Sequence, residues 1–176
     1  MSTGEHLFNE LIGPIRDRMI RTVGRIVADP HDAADTMQAA LLAVWTNLDR
    51  IHRHPNPQAY ILRVCISAAY DSLRRRLREQ TGRADIEAIA SMPSGSPGPV
   101  ALAAAKDIEA AVLRGIASLP PQQAQAVLLR IVEDEPFDAI ARVLDCDEQT
   151  ARSHVSKGKA RLRDLLGAML EMETVS

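Results

Sequence analysis

The chain has 176 residues, 46% hydrophobic but only 3% aromatic, enough to build aliphatic cores for one ordinary domain or two small ones. Two cysteines, Cys65 and Cys146, lie far apart without CxxC spacing, which excludes a disulfide framework and reads as reduced apolar filler. No apolar signal core and no membrane-length apolar run occurs, so a cytoplasmic protein with no membrane insertion is expected.

Ala, Leu, Arg and Gln dominate, glycine is sparse, and period-two runs of β-branched residues are absent, so the chain reads as all-α. The first helix spans about 7–27, with Leu7, Leu11, Ile15, Met19, Val23 and Ile26 on one side and a kink or late start at Pro14. A second begins at "DPHDAAD", where Asp29 is placed to cap and Pro30 suits the first helical position. Its apolar stripe is Met37, Leu41, Val44, Trp45 and Leu48, equally suited to burial and to a partner helix. The polar connection "NLDRIHRHPNP" breaks helix twice, and Asn56 with Pro57 then starts a long third helix ending in "RRRLRE".

From Thr81 to Pro99 the density of Gly and Pro, ending in "PSGSPGP", reads as a flexible linker between two small helical domains. It offers no apolar anchor, so the two domains are expected to keep a soft relative orientation. The second domain reads as helices at about 102–117, 121–132, 136–144 and 147–170. The last two are separated only by "LDCD", the outline of a helix-turn-helix.

Charge is sharply segregated there. Glu133, Asp134, Glu135, Asp138, Asp145, Asp147 and Glu148 precede a helix carrying Arg152, Lys157, Lys159, Arg161 and Arg163. Asp147 is placed to cap that helix. Ala151, Val155, Gly158 and Leu162 fall on one inward face. Gln149, Arg152, Ser153, Ser156 and Lys157 then point outward, small and hydrogen-bonding side chains between cations that suit a major groove. Lys159, Arg161 and Arg163 flank them and would meet phosphate. The acids are expected to lie on the far side and discourage nonspecific wrapping of DNA.

"LPPQQAQAVLLRIVEDEPFDAIARVLDCDEQTARSHVSKGKARLRDLL" resembles region 4 of the extracytoplasmic-function (ECF, group IV) sigma factors of bacterial RNA polymerase. "DPHDAADTMQAALLAVW" with "PNPQAYILRVCISAAYDSLRRRLRE" is similar to sigma region 2. The resemblance implies a region 2 bundle over 1–81, a linker over 82–101 and a region 4 helix-turn-helix over 102–176. Region 4 would read the −35 promoter element as duplex. Region 2 would bind the clamp helices of the largest subunit of core RNA polymerase through Asp35, Gln38, Leu41, Leu42 and Trp45. It would then capture the −10 element as single strand through His52, Arg53, His54, Asn56, Tyr60, Arg63, Arg74 and Arg75, cations with an occasional aromatic. Promoter DNA and an anti-sigma factor are the further partners implied. The chain departs from the family pattern at Ala34 and Ala39 of the clamp helix, at Ile66, Ser67 and Ser72 of the −10 helix, and at Asp145 and His154.

No nucleophile triad, Gly-rich phosphate loop or apolar carboxylate pair occurs, so an enzyme is not expected. The His52–His54 pair has no Cys or Glu to complete a metal site, and no metal or cofactor is expected. The alternative function is a sigma-like interaction protein that titrates an anti-sigma factor and barely touches DNA. A plain two-domain repressor would leave the clamp-like helix unexplained.

Overall fold

The computed structural model describes the backbone of residues 3–87 and 100–174 and the side chains of residues 4–80 and 108–167. Among these every regular element is a helix, as expected. Helix α1 (Thr3–Ile12) passes through a 3-10 turn at Gly13–Ile15 into α2 (Arg16–Ile26), so Pro14 breaks the first helix where its missing N–H predicts. Helix α3 (Pro30–Thr46) starts on the Asp29 carboxylate, which accepts from His31 N at 2.9 Å and Asp32 N at 3.1 Å.

The connection that follows holds a short helix α4 (Leu48–His52), which the sequence reading leaves as loop; it buries Leu48 and Ile51. Helix α5 (Pro57–Glu87) is capped by Asn56, whose Oδ1 accepts from Ala59 N at 3.0 Å. It runs past the expected domain boundary at residue 81, because Gly82 weakens a helix without ending it. Residues 88–99, the centre of the expected linker, lie outside the described residues.

The second domain contains α6 (Val100–Ser118), α7 (Pro121–Ile131), α8 (Phe137–Leu144) and α9 (Glu148–Thr174). The turn between α8 and α9 is made by Asp145 at φ 55°, ψ 49°, a left-handed conformation that aspartate tolerates in place of glycine. Helix α9 packs on α6, α7 and α8 through the expected face: Ala151, Val155 and Gly158 are buried and Leu162 is half-buried. Gly158 is required by proximity, since a Cβ there would stand 2.5 Å from Val127 Cγ2.

The two domains do not hang loosely, which corrects the expectation of a soft orientation. Helix α5 packs on α6, α7 and α8, and a single buried cluster runs from Ile15, Met19 and Ile66 through to Leu129 and Ile140. The anchor lies not in the linker but on α5. Tyr70, 1% exposed, donates to the carbonyl of Leu119 at 2.6 Å, and Gln125 Nε2 donates to Ser67 Oγ at 3.4 Å.

Candidate nucleic-acid and polymerase interfaces

Three surfaces carry the residues singled out from the sequence. On α3, Asp35, Gln38, Leu42 and Trp45 are exposed side by side at spacings of three, four and three residues, with Leu41 half-buried behind them. Leu42 is 64% exposed and Trp45 44% exposed, while Ala40 and Val44 fill the core. The stripe therefore divides, with one edge serving the bundle and the other left as an apolar anchor rimmed by Asp35 and Gln38. Phe8 of α1 meets Trp45 edge-on at 5.4 Å and limits the orientation of the indole.

The recognition-type helix α9 presents Gln149, Arg152, Ser156, Lys157, Lys159 and Arg163 to solvent, with Ser153 half-buried. Its N-terminus is fixed by Asp147, whose Oδ1 accepts from Thr150 N at 2.7 Å. That backbone hydrogen bond is the main cause holding the Asp147 carboxyl below its ordinary range. Arg152 is not free: it pairs with Glu148 at 2.5 Å and lies over the Phe137 ring at 4.2 Å. Its guanidinium is thus held at the start of α8 and must exchange one of these contacts to reach a base edge. Arg161 bonds Gln123 Oε1 of α7 at 3.0 Å, so it braces the helix pair as much as it faces outward.

The third group is brought together and then covered. Tyr60, 6% exposed, sits at the centre, with Arg50 and Arg63 over its ring at 5.8 and 5.2 Å and His54 edge-on at 5.1 Å. His54 Nδ1 lies 2.9 Å from the Asn56 carbonyl and 3.1 Å from Asn56 N, and Nε2 lies 3.4 Å from the Arg142 carbonyl of α8. Arg63 Nε is buried and has no hydrogen-bond partner among the described residues. His52, Arg53, Arg74 and Arg75 remain exposed, with Arg74 over the Tyr70 ring at 5.6 Å.

Sequence reasoning does not reach the acidic bracket. Arg18 of α2 donates from Nε to Glu133 Oε2 at 2.6 Å, and from Nη2 to the Glu133 carbonyl at 2.6 Å and Glu135 Oε1 at 2.8 Å. The Thr22 hydroxyl lies between the Arg18 carbonyl and Glu133 Oε1, close enough to donate to either. Arg25 Nη1 adds the Val132 carbonyl at 3.4 Å. Between the two glutamates Asp134 adopts φ 53°, the conformation that ends α7 and turns both toward α2. The acids of this stretch are therefore not a free shield. Asp134 pairs with Arg130 at 3.2 Å and Asp138 with Arg142 at 3.5 Å.

Residues 11–79 match the family described as Sigma-70 region 2, and residues 109–162 match Sigma-70, region 4. The RNA polymerase sigma-E factor of Streptomyces avermitilis is 30% identical over 168 residues, covering 94% of this chain and 89% of that protein. The chain belongs to the sigma-70 family of RNA polymerase sigma factors, ECF subfamily. The ECF RNA polymerase sigma factor SigE of Mycolicibacterium smegmatis is 26% identical over 163 residues, and the chain spans 61% of that longer protein. The sigma factor RpoE of Bartonella quintana, solved with the anti-sigma factor NepR, superposes with a TM-score of 0.54 over 91% of this chain and 96% of that one. At 19% identity it shares the fold. In these terms the region 2 match falls within α1–α5 and the region 4 match within α6–α9. Among the described residues, no helix is long and apolar enough to cross a membrane.

Proposed function

We propose that this sigma factor binds core RNA polymerase through the exposed face of α3 and directs promoter-specific initiation, with α9 reading −35 duplex and the Tyr60 cluster holding melted −10 strand. The observation that carries this reading is the pairing, on one chain, of an apolar anchor left exposed at Leu42 and Trp45 with a helix-turn-helix whose outward face is basic. An ordinary bundle would bury the first, and an ordinary DNA-binding repressor would have no use for it. Asp35 and Gln38 supply a polar rim to fix register on a partner helix, and Leu42 and Trp45 supply the desolvated centre. Arg50, Arg63 and Tyr60 offer the cation and ring chemistry that stacks and neutralises a single strand.

Run-off transcription tests the reading. Purified core polymerase, this chain and DNA from upstream of its own coding sequence should give a discrete transcript that core alone does not. Absence of any chain-dependent transcript, with the chain bound to core, would contradict it. That outcome would favour the second reading, an anti-sigma-titrating protein, for which the burial of Ile66 and the Ser67–Gln125 contact at the strand-facing positions speak.

A further inference from the structure

We propose that region 4 is an intramolecular cover for the strand-binding face of region 2, locked by Arg18 in the bracket of Glu133 and Glu135. The inference rests on the reading of the Tyr60 cluster as the single-strand site. Along α5, Tyr60, Arg63, Ile66, Ser67 and Tyr70 recur at helical spacing and form one face. That face is closed at three points, where Arg142 O meets His54, Gln125 meets Ser67 and the Leu119 carbonyl meets Tyr70. A strand running along this face past Tyr60 and Arg63 would meet α8 at His54 and α7 at Ser67.

The cover has two components of different character. The apolar one lies over Ile66, fully buried in the shared core. The polar one is the bracket: the Glu133 side chain is 4% exposed and Glu135 10%, so both carboxylates have exchanged water for one guanidinium. Among the described residues, all of Arg18's side-chain hydrogen bonds go to region 4, so its role is to fasten the domains rather than to hold region 2 together. Arg63 Nε, buried without an acceptor among the described residues, is a donor that the closed arrangement leaves unsatisfied. An incoming phosphate would satisfy it.

The clamp face on α3 and the outward side of α9 stay exposed while the cover is shut. Core polymerase and −35 duplex are therefore admitted to the closed chain, and only the single strand is refused. Specific access to −10 DNA is thereby reserved for a chain whose domains have been drawn apart.

The test uses the full chain and a fluorescent mixed-sequence single-stranded DNA of about 12 nucleotides, a length within the span one such groove tracks. Arg18→Glu and Glu135→Lys both break the bracket but change net charge in opposite directions. Electrostatics alone would lower strand affinity in the first and raise it in the second. Unlocking should raise it in both by about tenfold or more over wild type, since apparent affinity scales with the fraction of open chain. Small-angle scattering should show both variants extended and wild type compact, with unchanged helicity. An already extended wild type, or extended variants that bind strand no better, would overturn the cover. Adding Tyr60→Ala and Arg63→Ala to either open variant separates the two claims. If these leave strand affinity unchanged, the strand-site reading has failed, and the lock is judged on scattering alone.

Discussion

Arg18 and Glu133 are 115 positions apart in sequence, yet Arg18 Nε stands 2.6 Å from Glu133 Oε2. The contact joins region 2 to the turn that ends α7, and the Glu133 side chain is left only 4% exposed. Arg18→Ala strands that carboxylate in the interface, a loss of about 1–3 kcal/mol. Glu133→Gln in the same background should recover part of it, because a neutral amide is cheaper to bury. Denaturant unfolding of the two single variants and the pair measures the coupling, and simple additivity would mean that the pair contributes nothing.

Leu42 exposes 64% of its surface on the face shared with Asp35 and Gln38. Leu42→Asp should abolish association with core polymerase in gel filtration. Helicity and −35 duplex binding should be unchanged, since the site contributes little to the bundle. Co-purification with core at the wild-type level would remove α3 as the anchor.

Arg152 and Lys159 should separate base reading from phosphate attraction. Arg152→Ala should cost about 1–3 kcal/mol and relax preference at one base position. Lys159→Ala should weaken all sequences alike and lower the salt slope by about one. Because Glu148 holds the guanidinium, Glu148→Ala should change affinity in the direction opposite to Arg152→Ala. Duplex titrations at several salt concentrations distinguish these outcomes.

Gly158 lets α9 approach α7. Gly158→Ala places a methyl 2.5 Å from Val127 Cγ2 and should destabilise by about 1–3 kcal/mol. Adding Val127→Ala should return part of the loss. A Gly158→Ala chain as stable as wild type would show that the helix pair has room to spare.

Asp147 makes α9 sensitive to acid. Its pKa is lowered in the folded chain by the backbone hydrogen bond from Thr150, relative to an ordinary 3.8. The cap therefore stabilises fully above that ordinary value, and its contribution disappears as pH falls through the lower, folded one. Asp147→Asn keeps a capping oxygen but cannot titrate. Thermal midpoints from neutral to acid pH should show a shallower acid limb for the variant, and identical limbs would assign the acid sensitivity elsewhere.

Local signals in the sequence were sufficient wherever a residue acts on near neighbours. Pro14, the caps at Asp29, Asn56 and Asp147, the Asp145 turn and the inward face of α9 all follow from spacing and backbone chemistry, and all stand in the structure. The short helix α4 was hidden because its polar residues, Asp49, Arg50 and His52, outweigh the two apolar ones that it buries. The inter-domain lock was hidden for a deeper reason. An acid beside a helix end reads as solvated until a cation from a remote segment arrives, and no periodicity encodes that pairing. Ile66 and Ser67 did carry a trace of it: they depart from the family's strand-reading residues where α7 covers α5.

The most direct test of the account joins its two halves in one tube. Ser67→Cys and Gln125→Cys, with Cys146→Ser, put one thiol on each side of a contact that now spans 3.4 Å from Gln125 Nε2 to Ser67 Oγ, while Cys65 stays unreactive, its thiol pushed up to about 12 by burial. A cysteine at 125 ends short of the amide nitrogen, so the pair is joined with a short bismaleimide that carries a central disulfide. Run-off transcription is then measured with core polymerase and the cross-linked chain, before and after reduction with dithiothreitol. The account predicts that the locked chain binds core but yields no transcript, and that reduction restores it. Equal transcription from locked and reduced chains would contradict the claim that region 4 must leave region 2 for the promoter to open.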